Sequence, residues 1–148
     1  STVIIADNRI TGMTGHQENP TTGKTLKEEI THALNLEKLC EAMGINDVKV
    51  IDPNDTKAME EGIKDSLSRQ EPSVIISRRP CVLLKEVKKD KYFVIDSDKC
   101  RSCKACMQIG CPAISMVDGK AKIDTTLCTG CGLCQNMCKF GCIIEKNR

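Results

Sequence analysis

The sequence predicts an α/β unit built on a partial parallel sheet, followed by a small α+β domain of different character. Three observations carry that prediction. Up to residue 89, short apolar runs alternate with stretches of helical periodicity, the pattern of parallel strands joined by crossover helices. Beyond residue 90 the composition shifts, and nine of the 11 cysteines fall between Cys100 and Cys142. That second half also repeats: Cys100, Cys103 and Cys106 recur as Cys128, Cys131 and Cys134, each 28 positions later. The two domains are therefore drawn as 1–89 and 90–148.

In the first domain, Thr2–Ala6 (TVIIA) is a short apolar run suited to a buried strand. It ends at Asp7-Asn8, and a loop rich in Gly, Thr, Asn and Pro follows to Gly23. Leu26 to Leu34 is expected to be helical. Asn35 is a good N-cap for a helix over Leu36 to Met43, and Gly44 a good stop. Val48–Ile51 reads as a second strand. Asn54 or Asp55 caps the next helix, where Met59, Ile63 and Leu67 recur every four residues. Val74–Ser77 gives a third strand, and Cys81–Leu84 is expected to extend the sheet. The charged stretch from Lys85 to Lys91 reads as a solvated linker.

In the second domain, Tyr92–Ile95 is a strand before the first cysteine. Ile114–Val117 and Ala121–Ile123 are strands joined by Asp118-Gly119, a strong hairpin signal. Ile95-Asp96 recurs as Ile123-Asp124 with the same offset as the cysteines. Two copies of one small unit, related by a pseudo-twofold axis, are the expected result.

Bulk properties exclude several classes of function. The net charge is +2 with both signs mixed along the chain, unlike the basic stripe of a nucleic-acid binder. No apolar run approaches the roughly 20 residues of a membrane span. Val3–Ala6 is too short for a signal-peptide core. An odd number of cysteines without a secretion signal favours metal binding over disulfides, and reduced thiols imply the cytoplasm. With no Trp, one Tyr and two Phe, the core must be lean and aliphatic.

The cysteine blocks carry the chemistry. The first runs Cys100-Arg-Ser-Cys103-Lys-Ala-Cys106-Met-Gln-Ile-Gly-Cys111-Pro112, and the second Cys128-Thr-Gly-Cys131-Gly-Leu-Cys134-Gln-Asn-Met-Cys138. This is the bacterial ferredoxin arrangement, in which three closely spaced thiolates wrap three corners of a cube and the fourth comes from the other block. It predicts a bacterial-type 2[4Fe–4S] ferredoxin-like domain. One cluster falls on Cys100, Cys103, Cys106 and Cys138, the other on Cys128, Cys131, Cys134 and Cys111. The first block carries one extra residue before Cys111, and Lys139 replaces the usual Pro; neither removes a ligand. Gly110, Gly130, Gly132 and Gly141 are expected to let backbone approach the cubes. Zinc is disfavoured, because two triplets leave it with surplus thiolates. Two oxidised clusters would move the formal charge from +2 to roughly −2. Cys40, Cys81 and Cys142 are left over, with small buried hydrophobes as the ordinary reading. Cys142 lies four residues after Cys138, close enough in sequence to substitute as a ligand.

The segment Ile5-Ala-Asp-Asn-Arg-Ile-Thr-Gly-Met-Thr-Gly-His-Gln17, with the βα units after it and a cysteine block ending Gly-Cys-Pro-Ala-Ile, resembles the alpha subunit of indolepyruvate ferredoxin oxidoreductase. That family is dependent on thiamine diphosphate (TPP) and ends in a ferredoxin-like domain. The resemblance implies that residues 1–89 are the C-terminal part of a TPP-binding domain. It places a magnesium ligand on Asn8, another on the carbonyl of Ile10, and Thr11, Gly12, Thr14 and Gly15 beside the cofactor. His16 and Gln17 would face the substrate side, without a catalytic role being assigned. The family's Gly-Asp-Gly or Gly-Asp-Ser motif does not precede Asp7, and a pyrimidine-binding domain is absent. The resemblance therefore implies a C-terminal fragment of a longer subunit, catalytically incomplete alone.

The implied reaction is oxidative decarboxylation of an arylpyruvate with coenzyme A, the two clusters passing electrons to an external ferredoxin. A smaller beta subunit is the implied partner, with neither nucleic acid nor membrane involved. The competing reading is a stand-alone two-cluster electron carrier with an N-terminal docking extension.

Overall fold

A computed structural model describes all 148 residues, Ser1–Arg148. The chain divides into two compact units, Ser1–Val87 and Lys88–Arg148.

The first unit is built on three parallel strands, β1 (Thr2–Asp7), β2 (Asp47–Ile51) and β3 (Ser73–Arg78), in the order β1-β3-β2. The expected parallel sheet is present. Ile4 pairs with Ile75 and Ile5 with Ile76, while Val48 pairs with Val74. The central strand β3 carries Val74, Ile75 and Ile76, all fully buried. A strand covered on both faces reads as an unbroken apolar run, and this one does.

Helix α1 (Leu36–Ala42) covers one face, placing the buried Cys40 against Val74 and Ile76. Asn35 caps it as expected, its side chain accepting the Lys38 amide at 2.8 Å, and Gly44 ends the turn with φ +81°. Helix α2 (Thr56–Ser68) is capped by Asp55, which accepts from the Ala58 amide at 3.0 Å. Its buried positions are Gly62 and Ser66. A Cβ at Gly62 would lie 2.4 Å from Ile51 Cδ1, so the glycine is what lets α2 seat on β2. Leu67, expected on the apolar stripe, is exposed instead. A charged and polar cluster fastens α2: Asp47 takes the Lys49 ammonium and the Ser66 hydroxyl, and Lys49 also reaches Asp65.

Two further sequence expectations fail in this unit. Leu26–Leu34 is not helical. Thr25 turns the chain back on itself, its hydroxyl accepting the amides of Lys27 and Glu29, and Lys24 bridges Ile30. A side chain that satisfies nearby amides competes with a helix, and the helix has no core to repay it, since Leu26 and Ile30 are almost fully exposed. Cys81–Leu84 does not extend the sheet. The Arg79 and Cys81 amides continue the pairing with Asp7 and Asn8, but Pro80 has no amide to offer and the chain turns at Leu84.

The second unit contains two antiparallel pairs. β4 (Lys91–Ile95) pairs with β7 (Ile143–Asn147), and β5 (Ile114–Val117) with β6 (Lys120–Ile123). The Asp118-Gly119 turn has φ +49° and +75°, the left-handed pair that a tight hairpin demands. A 3₁₀ turn, η1 (Ala105–Ile109), and a short helix, α3 (Leu133–Met137), carry Cys106 and Cys134. Strand β7 was not expected from the sequence.

The 28-residue repeat is visible in the hydrogen bonds. Asp96 accepts from the Cys100 amide at 3.0 Å, and Asp124 from the Cys128 amide at 3.1 Å. In the same way the Asp96 amide donates to the Cys142 carbonyl and the Asp124 amide to the Ala113 carbonyl, both at 2.8 Å. Phe93, Ala113, Ile114, Ala121, Ile123 and Ile143 form the core between the two copies.

Candidate cofactor and cluster sites

At the end of β1, where a parallel sheet opens its ligand crevice, a cavity of about 440 Å³ is lined by Asp7, Asn8, Ile10, Thr11, Asn19 and Thr21, among others. Asn8 forms a local turn in which its Oδ1 accepts the Ile10 amide at 3.1 Å. Asn19 does the same for Thr21, taking its amide at 3.0 Å and its hydroxyl at 2.7 Å. The buried Asp7 carboxylate is already neutralised by Arg78 Nε at 2.7 Å, with Arg9 Nε at 3.5 Å. Arg78 in turn grips Glu37 through two nitrogens at 2.7 and 2.9 Å. That grip, then the residue's own backbone amide, holds the Glu37 carboxyl down at about 2.

Of the expected cofactor residues, the structure brings Asn8, Ile10 and Thr11 together on this cavity. Gly12, Thr14 and Gly15 lie outside it, on an exposed loop closed by the Thr11–Gln17 bridge. His16 and Gln17 are exposed on the same loop, with Gln17 accepting the Thr14 hydroxyl at 2.9 Å. An amide oxygen and backbone carbonyls at a strand end are the hard donors that magnesium takes alongside diphosphate oxygens, so the donor set fits that group.

In the second unit the cysteines form two sets. One cavity is lined by Cys100, Cys103, Cys106 and Cys138, with Cys142 as a fifth. The other is lined by Cys128, Cys131, Cys134 and Cys111. In each, the last cysteine of one block sits among the triplet of the other. The thiols surround a space rather than meeting at a point, and no three Cys, His, Asp or Glu side chains are placed to hold a single metal ion.

Electrostatics point the same way. Burial, and then the charges of Cys131, Cys128 and Cys111, push the Cys134 thiol up to about 11. Burial and the charges of Cys100, Cys103 and Cys138 raise Cys106. Four thiolates share such a space only when a cationic centre compensates them, as a [4Fe–4S] core does. Backbone donors already serve the sulfurs: the Phe93 amide donates to Cys128 Sγ at 3.4 Å, and the amides of Ser102 and Ala121 lower the Cys100 thiol.

Gly130 and Gly132 show why those positions are glycine. Both have positive φ, and a Cβ at Gly130 would lie 2.5 Å from the Lys91 carbonyl. Their repeat equivalents are Ser102 and Lys104, which hold the same left-handed conformation at φ +54° and +60°.

Comparison with known proteins agrees with both halves. Residues 1–77 match the thiamine pyrophosphate enzyme family at its C-terminal TPP-binding domain. The chain belongs to that family. Residues 92–139 match the 4Fe–4S dicluster domain. The chain is 40% identical to the indolepyruvate oxidoreductase subunit IorA of Thermococcus kodakarensis, across 93% of this chain and 23% of that protein. It is 38% identical to the IorA of Pyrococcus horikoshii over 94% of this chain, and 33% identical to that of Archaeoglobus fulgidus over 92%. The chain thus spans about a quarter of the length of these relatives. The resemblance seen in the Asp7–Gln17 loop and the cysteine blocks is borne out. The cofactors that go with this pair of domains are thiamine diphosphate and [4Fe–4S] clusters. No helix is long and apolar enough to cross a membrane.

Proposed function

We propose that the chain is part of a TPP-dependent 2-oxoacid:ferredoxin oxidoreductase that acts on arylpyruvates such as indolepyruvate. Residues 1–89 serve as the C-terminal part of the TPP-binding domain and residues 90–148 as its electron outlet. The observation that carries this reading is the presence, in one chain, of a strand-end cavity bearing Asn8 and Ile10 and two cavities each lined by a crossed set of four cysteines.

In this reading Asn8 and the Ile10 carbonyl hold the magnesium of the cofactor, with Thr11, Gly12, Thr14 and Gly15 beside it. Cys100, Cys103, Cys106 and Cys138 hold the first cluster; Cys128, Cys131, Cys134 and Cys111 hold the second. When bound, thiamine diphosphate supplies the electron sink for decarboxylation, and the clusters accept electrons singly. The protein's part is to orient and to insulate. Arg78 and Arg9 cancel the charge of Asp7, which leaves the Asn8 side chain as the neutral oxygen donor at the strand end. Phe93, Ile114 and Ile123 keep water from the second cysteine set.

Over the whole reaction, an arylpyruvate and coenzyme A give an acyl-CoA, CO₂ and one proton, and the two electrons released leave one at a time to an external ferredoxin. A smaller beta subunit completes the enzyme, and a set of reduced thiols supports a reducing, cytoplasmic setting for it.

The test is an anaerobic assay of the complete subunit with its partner subunit, thiamine diphosphate, magnesium and coenzyme A. Indolepyruvate should reduce added ferredoxin, and an aliphatic 2-oxoacid should do so more slowly. Clusters that shuttle electrons with no dependence on any 2-oxoacid would contradict the enzyme reading and favour the stand-alone carrier.

A further inference from the structure

We propose that Cys142 is a reserve ligand of the first cluster site, a fifth thiol that takes over when Cys138 is lost. This rests on the cluster assignment above.

Cys142 lines the same cavity as Cys100, Cys103, Cys106 and Cys138, and only 5% of its surface is exposed. Its Sγ lies 3.2 Å from Cys138 Sγ, the distance of a thiol donating to a neighbouring sulfur. The local chain explains how residues four apart come so close. Helix α3 stops at Met137, Cys138 is extended, and Gly141 turns back with φ +61°.

Cys142 is also held firmly. Its carbonyl accepts the Asp96 amide at 2.8 Å, and the next residue, Ile143, pairs with Ile95 in the β4–β7 ladder. Cys138 lies outside that ladder, as the C-cap of α3, its amide donating to the Gln135 carbonyl at 3.1 Å.

Packing does not ask for a sulfur here. The repeat supplies the comparison, because Ala113 occupies the equivalent place in the second site. Its carbonyl accepts the Asp124 amide at the same 2.8 Å, it precedes the strand residue Ile114, and it is equally buried. The fold accepts a methyl group at this position, yet the first site carries a thiol aimed at a cysteine set. Taking the open corner would cost Cys142 its proton, which passes to solvent, with no change in oxidation state.

The experiment reconstitutes four forms of this chain anaerobically: unsubstituted, Cys142→Ala, Cys138→Ala and the double variant. Each is measured for iron, sulfide and the EPR spectrum of the reduced state. The unsubstituted chain, Cys142→Ala and Cys138→Ala should all hold about eight irons, and the double variant about four. Cys138→Ala should also show an altered EPR signal for one cluster. Cys142→Ala reports whether the fold tolerates loss of the thiol, as Ala113 indicates it does. About four irons in Cys138→Ala, matching the double variant, would overturn the reserve role and leave the cluster assignment standing. About eight irons in the double variant would overturn it too, since neither sulfur would then be needed. Far fewer than about eight irons in the unsubstituted chain would instead overturn the cluster reading itself.

Discussion

The backbone amide of Phe93 donates to Cys128 Sγ across 3.4 Å, so the strand entering the first cysteine triplet supports the opening thiol of the second. The partner relationship runs the other way: the Ala121 amide, 28 positions after Phe93, serves Cys100. The two copies of the repeat therefore cross not only in their fourth cysteines but also in the backbone donors to their first.

Phe93 is 1% exposed, lines the second cysteine cavity and lies where a Cβ on Gly132 would touch its ring. Phe93→Ala should cost about 3–5 kcal/mol, the usual range for removing a buried aromatic ring. The loss should also be lopsided, because the ring shields the second set. Iron release to a chelator, followed by EPR under anaerobic conditions, should show one cluster leaving well before the other. Equal release from both would contradict this account of the ring.

Ser102 and Lys104 hold the left-handed backbone that Gly130 and Gly132 hold one repeat later. A side chain there costs roughly 1–2 kcal/mol, and Lys104 gains no capping bond in return. Lys104→Gly should stabilise the cluster-bound domain by about 1 kcal/mol, less what the freer unfolded chain takes back. Gly130→Ala should do the opposite and more strongly, because its Cβ meets the Lys91 carbonyl. Anaerobic thermal unfolding of both variants checks the pair, and a destabilised Lys104→Gly would contradict the strain argument.

The Glu37–Arg78 pair makes the first unit acid-sensitive. Glu37 falls from an ordinary 4.5 to about 2 in the folded chain, chiefly through the Arg78 hydrogen bonds. A depressed carboxyl stabilises fully above its unfolded pKa and loses that contribution as pH falls through the folded one. The contribution should be complete above about pH 4.5, shrink below it and vanish near pH 2. Because the pair is part-exposed, about 1 kcal/mol is a reasonable size. The difference in Tm between the unsubstituted chain and Glu37→Gln should be largest near neutrality and narrow with acid. A difference that stayed constant to pH 3 would contradict it.

What the sequence disclosed, and what it hid, divides along local and non-local lines. Asn35, Asp55 and the Asp118-Gly119 turn act through their own neighbours, and each does in the structure what its residue type predicts. The cysteine spacing is local within a triplet, and the exact 28-residue offset made the second copy readable. Leu26–Leu34 misled because helical periodicity means little without a surface to bury it on, and Thr25 offers the backbone a closer partner. Strand β7 was hidden because its partner β4 lies some fifty residues away. The repeat did contain the signal: Ile143 follows its cysteine block as Ile114 follows the other, and Ile114 starts a strand. In the cofactor loop, sequence grouped Asn8 through Gly15 as one site, whereas folding sends Gly12, Thr14 and Gly15 out onto the exposed turn.

Exchange of the fourth cysteines is tested most directly by Cys111→Ser in anaerobically reconstituted protein, compared with Cys128→Ser and Cys106→Ser. The reduced EPR spectrum of Cys111→Ser should match that of Cys128→Ser, with the cluster shared by Cys100, Cys103 and Cys106 intact. A spectrum matching Cys106→Ser would mean that each block closes on its own cube, and the crossed arrangement would be wrong.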